Sequence, residues 1–412
     1  MDNSHTTVVV GASLAGMHAA RTLRTEGHPG PIVVLDADPR TPYDKPPLSK
    51  QVLSQGWEPE KLTLPAATED LGLDLRLGVR ATGLDLGTRT VAVQALDGPG
   101  EVGFDSLVIA TGAAARRLPG TDDIDGVHVV RSLDDALALR AALEASPSRV
   151  VVIGAGFIGA EVAASCRTLG LEVTMVEALP MPLERVLGSE MGAVCAALHV
   201  EHGVDLRLDT GVESFETIPS DDGRRRVTGV ALTDGTTVAA EVVVVGIGVA
   251  LNTSWLEGSG LTLDDGVVCD ETLLAAPGVV AAGDIARYPS TRFGGLLRVE
   301  HWEHAIQGGE AAARRLLADA RGEAPVPFDP VPWFWSDQYD RKIQLAGRPA
   351  PTDEVWVVHG STDEFRFVAL YGRDGALSAV LGMNRPRHVI QLRGLVEEGA
   401  TFDEALERAA SL

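Results

Sequence analysis

Two glycine loops of the kind that cradles a pyrophosphate stand in tandem in this chain. Each is followed by an acid at the distance a nucleotide ribose requires. The first runs Val8-Val9-Val10-Gly11-Ala12-Ser13-Leu14-Ala15-Gly16, with Asp36 20 residues after Gly16. The second runs Val150-Val151-Val152-Ile153-Gly154-Ala155-Gly156-Phe157-Ile158-Gly159, with Glu177 18 residues after Gly159. In both, a β-branched run predicts a buried parallel strand that turns into a helix whose first N–H groups face an anion. The first glycine permits the turn, the second admits the phosphate, and the third lets helix close on strand. Ser13 takes the second place in the first loop, where its hydroxyl offers a hydrogen bond to phosphate. A single such loop is weak evidence, because a strand–helix turn without ligand looks the same. Two of them, each with its acid, imply two dinucleotide sites and a chain that passes electrons between them.

The rest of the sequence excludes several classes. A net charge of −23 argues against non-specific nucleic-acid binding. No run approaches the ~20 apolar residues of a membrane span. The first strand begins near Thr7, which leaves no room for a secretory signal. Cys166, Cys195 and Cys269 are scattered, so neither a dithiol centre nor a metal site is expected, and the cytoplasm is the default compartment.

The two halves repeat one plan: glycine loop, acidic strand end, small β excursion, then an apolar strand ending in glycine. In the first half that last strand is Ser106–Ile109, running into Ala110-Thr111-Gly112. In the second it is Val242–Val245, running into Gly246-Ile247-Gly248. A further buried strand, Val279-Val280-Ala281, leads to Gly283-Asp284. It has no sheet of its own after the second half, so it belongs with the first, and the second half is inserted into the first. Helices are expected around Leu133–Leu143, Ala305–Ala318 and Phe402–Ala410. Beyond a proline-spaced linker the chain turns aromatic and β-rich. The predicted fold is α/β: two Rossmann-like nucleotide-binding domains, the second inserted in the first, plus a C-terminal α+β interface domain. The expected boundaries are 1–115 with 247–326, 116–246, and 327–412.

At this point a resemblance enters. The paired loops, Pro42-Tyr43-x-x-Pro46-Pro47-Leu48-Ser49-Lys50, Ala110-Thr111-Gly112, Gly283-Asp284 and Pro332-Trp333-Phe334-Trp335-Ser336-Asp337-Gln338-Tyr339 together resemble the FAD-dependent NADH:ferredoxin reductases of bacterial oxygenase systems, the putidaredoxin-reductase-like flavoproteins. The resemblance covers nearly the whole chain and implies a glutathione-reductase-type fold with non-covalent FAD and NADH. It implies that Gly11, Ser13, Leu14, Ala15 and Gly16 contact the FAD pyrophosphate and Asp36 its adenosine ribose. Lys45, Pro46, Lys50, Ala81, Ala110, Thr111, Gly112, Arg131, Gly283, Asp284, Trp302 and Trp335 are then further FAD contacts. Lys45 stands where relatives usually carry arginine. Gly154, Gly156, Phe157, Ile158, Gly159, Glu177, Ile247 and Gly248 form the NADH site.

Hydride transfer asks the protein for position and charge rather than a nucleophile. Lys50 is the expected catalytic cation, and Glu161, on the helix after the second loop, its expected partner. Glu177 favours NADH, because a carboxylate there binds a ribose diol and repels a 2′-phosphate; Arg185 is the one nearby arginine in sequence. The implied partner is an acidic iron–sulfur ferredoxin, docking near Trp335 with Arg298, Arg341, Lys342, Arg385, Arg387 and Arg393 as candidate contacts. Residues 330–412 carry 9 basic and 12 acidic groups, a milder balance than the rest, which suits that role. A peroxidase or disulfide reductase would place a redox cysteine in residues 41–50, and none is there. Rubredoxin reductase and an apoptosis-inducing-factor-like binding flavoprotein are the alternatives.

Overall fold

The computed structural model describes residues 3–67, 69–220 and 223–412 and resolves into two compact units. One takes in the chain up to Asp44, Pro59–Ala114 and Ala250–Pro332. The other takes in Lys45–Glu58, Ala115–Val249 and Trp333–Leu412.

In the first unit the apolar runs build one sheet in the strand order Leu274–Ala276, Val279–Ala281, Ser106–Ile109, Thr7–Val10, Ile32–Asp36, Asp74–Leu77. All neighbours are parallel except the outermost Leu274–Ala276 pair. Four-residue strands with every position buried are what helix-covered parallel sheets demand. Val279–Ala281 pairs with Ser106–Ile109, so the chain does return to its first sheet after the inserted half, as the lone-strand argument expected. The segment Asp74–Leu77 joins this sheet as its edge, while Thr90–Ala95 is the middle strand of a separate antiparallel group with Arg80–Asp85 and Gly98–Gly103.

Two helices lock the first loop in place. Leu14–Thr25 follows the loop, and Trp302–Arg321, longer at both ends than the sequence pattern suggested, packs along it. The approach is so close that a Cβ on Gly309 would sit 2.2 Å from the Ala15 carbonyl oxygen.

The second unit repeats the arrangement. Its parallel sheet runs Val127–His128, Val242–Val245, Arg149–Ile153, Glu172–Val176, Asp205–Arg207. The aromatic C-terminal segment forms a five-stranded antiparallel sheet in the order Trp333–Gln338, Arg341–Gly347, Ala376–Met383, Arg366–Arg373, Glu354–Ser361. Helix Glu184–Glu201 contributes Leu187, Met191, Cys195 and Leu198 to the core on one face of that sheet, against Phe334, Ile343, Phe367 and Tyr371. Helix Pro386–Glu398 packs on its strands, and Phe402–Ala410 follows with a full capping box at Thr401. Helix Glu184–Glu201 is interrupted at Gly188, whose φ is 75°.

The contrast between two helix glycines gives a test. Gly309→Ala drives a methyl into backbone and is expected to cost about 1–3 kcal/mol in chemical denaturation. Gly394, with nothing within 4 Å of an added Cβ, is the control; Gly394→Ala is expected to be neutral or to stabilise by about 0.5–1 kcal/mol.

Candidate functional site

Both glycine loops are built alike. Gly11 and Gly154 adopt φ of 107° and 97°, and an added Cβ would strike the carbonyl of Ala110 or Gly246 on the adjacent strand end. Gly16 and Gly159 close under them: their Cβ atoms would lie 1.8 and 2.0 Å from the Gly11 and Gly154 carbonyl oxygens. Gly156 differs, since a Cβ there meets nothing within 4 Å. That opening is space the protein leaves unfilled. The helices after the loops also lack side-chain caps: neither Ser13 nor Gly156 supplies one. Helices Leu133–Glu144 and Phe402–Ala410, by contrast, satisfy their first amides with the capping boxes of Ser132 and Thr401. Uncapped first-turn N–H groups beside an open backbone suit a bound pyrophosphate.

The acids are equally matched. Asp36 accepts from the Ala12 N–H at 2.5 Å, and Glu177 from the Ala155 N–H at 2.7 Å. Each also accepts from the amide two residues on, Asp38 and Leu179. Both carboxylates are therefore held against their own loop, at the carboxyl edge of their sheet. Arg185 is exposed on the helix Glu184–Glu201.

In the first unit, neighbouring strands bring three predicted segments to one edge: the Gly11–Gly16 loop, Ala110-Thr111-Gly112 and Gly283-Asp284. Carboxyl ends of parallel strands are where such sheets take ligands. Gly283, at φ 74°, faces Ala15 so closely that a Cβ would lie 2.9 Å from the alanine methyl. Asn252, which no sequence signal marked, clamps the Ala-Thr-Gly turn. Its Nδ2 donates to the Thr111 carbonyl at 2.8 Å, and Thr111 Oγ1 donates to the Asn252 carbonyl at 3.0 Å. Trp302 opens its helix and donates from Nε1 to Asp44 at 2.7 Å. Ala81 lies half-buried against the core on strand Arg80–Asp85. His304, buried beneath, bonds Tyr288 Oη at 3.2 Å. Burial holds its imidazole at about 3, with His301 next to it adding to the effect.

In the second unit the structure joins Lys50 to Glu161. Lys50 Nζ lies 2.9 Å from Glu161 Oε2, and both side chains are nearly closed to solvent, 12% and 4% exposed. Ser49 Oγ donates to the same carboxylate oxygen at 2.5 Å, and Ser336 Oγ donates to the other at 2.8 Å. Gln338 Nε2 donates in turn to Ser336 at 3.2 Å. Ser165 Oγ ties the loop down by donating to the Ser49 carbonyl at 2.8 Å. A buried carboxylate survives when its lone pairs are satisfied in this way. Ser49 and Ser336 were not singled out in the sequence; a hydroxyl beside Lys50 and the period-2 order of the Trp333–Gln338 strand were the available signals. Lys45 precedes the short helical turn Pro46–Ser49, and Arg131 lies just before helix Leu133–Glu144, its N–H reaching Asp135 at 3.3 Å. Ile247 is 37% exposed and Gly248 has φ 92° with open space around it, beside the Gly154 turn.

Strand Trp333–Gln338 divides its residues by face. Phe334, Ser336 and Gln338 are buried, with Phe334 edge-on to Phe157 at 4.4 Å. Trp333 and Trp335 are half-buried with rings 5.5 Å apart. Lys342 Nζ lies 6.0 Å over Trp335, and Arg393 6.0 Å over Trp333. The cations named in the sequence are mostly partnered: Lys342 by Asp337, Arg341 by Asp340, Arg393 by Glu397, and Arg298 by Asp265 and Glu300. Arg387 is exposed.

With two nucleotide loops and this pair in view, comparison with known proteins decides the family. The model of the pyridine nucleotide-disulphide oxidoreductases matches residues 5–309, and a reductase C-terminal model matches 333–411. The chain belongs to the pyridine nucleotide-disulphide oxidoreductase family. Among members of that family, rhodocoxin reductase of Rhodococcus erythropolis is 38% identical over 94% of this chain and 88% of its own length. The ferredoxin–NAD(+) reductase component of the p-cumate 2,3-dioxygenase system of Pseudomonas putida is 36% identical over 96% of this chain and 94% of its own. The crystal structure of the covalent putidaredoxin reductase–putidaredoxin complex superposes with a TM-score of 0.90 at 31% identity, covering 100% of this chain and 99% of that one. Unlike the disulphide enzymes that lend the family its name, this chain has no cysteine in residues 41–50, and its three cysteines are free and buried.

The buried histidines set a pH dependence. His304, at about 3, and His199, at about 4, stay neutral in the fold, whereas an unfolded histidine titrates near 6.5. Between those values the unfolded chain binds more protons, so stability is full above about pH 6.5 and falls as pH drops towards 4. Each contributes a slope of up to about 1.4 kcal/mol per pH unit in that window. Urea denaturation at pH 5–7 is expected to show a shallower slope for His304→Phe than for the parent; equal slopes would contradict this assignment.

Proposed function

We propose that this chain is the NADH-oxidising reductase of an oxygenase system, taking hydride from NADH on FAD and passing single electrons to an iron–sulfur ferredoxin. The carrying observation is the pair of dinucleotide loops, each with its acid on a loop amide, in a chain with no dithiol to receive the electrons. The names of its relatives, ferredoxin reductase components among them, support the same reading.

The flavin supplies the conversion from a two-electron donor to a one-electron output. The protein's residues bind, orient and charge. Gly11, Leu14, Ala15 and Gly16, with the Ser13 hydroxyl, take the FAD pyrophosphate, and Asp36 its ribose. Ala110, Thr111, Gly112, Gly283, Asp284, Ala81 and Trp302 serve the remainder of the cofactor, with Lys45, Pro46, Arg131 and Trp335. Gly154, Gly156, Phe157, Ile158 and Gly159 take the NADH pyrophosphate, Glu177 its ribose diol, and Ile247-Gly248 its nicotinamide half. Lys50 carries the positive charge that favours hydride arrival, and Glu161 holds that charge and accepts from the nicotinamide amide. Residence in the cytoplasm belongs to the same proposal.

The ferredoxin docks near Trp335 with Arg298, Arg341, Lys342 and Arg387 among its contacts. Because Arg341 and Lys342 already carry an acid, the surface of the C-terminal sheet beside the two indoles is a charge mosaic rather than a bare positive field. Lys342→Glu is therefore expected to raise KM for ferredoxin while NADH still bleaches the flavin at the parent rate.

Stopped-flow absorbance tests the central claim. NADH is expected to bleach the yellow protein in one turnover, and oxidised ferredoxin to restore its colour. Protein that NADH does not bleach refutes the proposal. Lys50→Ala is expected to slow bleaching by about a hundredfold; an unchanged rate and potential remove Lys50 from the step. NADH is expected to exceed NADPH in kcat/KM by at least tenfold, about 1.4 kcal/mol.

A further inference from the structure

Ser336 is fully buried and spends its one proton on Glu161. The two carboxylate oxygens have different duties. Oε2 takes Lys50 Nζ and Ser49 Oγ, adjacent in sequence, whereas Oε1 takes only Ser336 among the described residues. Among the described residues no other donor fixes Oε1, so without Ser336 the carboxylate is free to turn about its last torsion, which is broad and soft. Gln338, two residues on and also fully buried, donates to Ser336 and so leaves the serine proton pointing at Glu161. Lys50 is the cation in this network. Cys166 and Tyr339, from the adjoining cores, are neutral, since burial pushes the thiol up to about 12 and the phenol higher still. Asp337, between the two donors in sequence, pairs with Lys342 instead.

We infer that Ser336, oriented by Gln338, is a positioning residue for hydride transfer: it fixes the Glu161 carboxylate against Lys50. The inference rests on the roles given to Lys50 and Glu161 above. It assigns a chemical task to the inward face of the C-terminal segment, the part of the chain otherwise concerned with the protein partner.

A lost donor to a buried carboxylate raises its pKa. In Ser336→Ala holoenzyme, the acid limb of the NADH-bleaching rate is expected to move to higher pH, while KM for ferredoxin is unchanged. The pH dependence of the flavin midpoint potential, measured without turnover, is expected to shift over the same range. Ser336→Thr keeps the hydroxyl and is expected to restore both profiles, which a merely structural role does not require. Glu161→Gln separates the layers. If Glu161→Gln leaves the acid limb in place, the reading beneath fails and the inference with it. If Glu161→Gln abolishes the limb but Ser336→Ala leaves it and the potential profile unmoved, only the inference on Ser336 fails. A shift by Ser336→Ala that persists in the Glu161→Gln background also overturns it, because the effect then does not pass through the carboxylate.

Discussion

The second unit depends on one buried negative charge. Glu161 comes from the helix after the second glycine loop, its cation and one hydroxyl from Lys45–Glu58, and its other hydroxyl from strand Trp333–Gln338. Three stretches far apart in sequence thus meet at a single carboxylate. Such a group is costly in a low-dielectric interior until its oxygens are satisfied, and removing one partner of a buried pair typically costs about 3–5 kcal/mol. The same requirement that selects the local fold therefore also delivers a lysine with a fixed orientation. Substitutions at Ser49, Lys50 or Glu161 will therefore disturb the local fold and the orientation of the lysine together.

The glycine loops work by a different economy, that of the backbone. Their geometry is set by where a Cβ does not fit, at Gly11, Gly16, Gly154 and Gly159, and by where one is simply omitted, at Gly156. The acid that closes each loop does so through a loop amide, which holds the turn in shape. The second glycine place differs, Ser13 against Gly156, yet the serine side chain leaves its helix uncapped just as Gly156 does.

What could be read from the sequence follows from these two modes. Backbone constraints are local: a glycine at a positive φ, a β-branched run and an acid after the next strand all lie within a few dozen residues, so both nucleotide units and the return of Val279–Ala281 were legible. The Lys50–Glu161 pair spans 111 residues and was reached through resemblance. Ser336 lies 175 residues from Glu161, and Asn252 is 141 from Thr111; a lone serine or asparagine has no pattern that announces so distant a partner. Charges were countable but their neutralisation was not, and Lys342, Arg341 and Arg298 each turn out to spend much of their field on an adjacent acid. Helix Glu184–Glu201, outside the sequence expectations, bends at Gly188, and its apolar residues complete the core against Phe334 and Tyr371.

The alternation along Trp333–Gln338 has a corollary for how such chains diversify. Odd positions carry the indoles and Asp337, even positions the phenyl ring, the hydroxyl and the amide. Insertion or loss of one residue here would swap the two sets, presenting a hydroxyl to solvent and thrusting an indole at the carboxylate. The outward positions, by contrast, can be exchanged one at a time without touching the inward ones. A lineage could thus rewrite every second letter of this short stretch while the residues gathered around the buried carboxylate stay as they are.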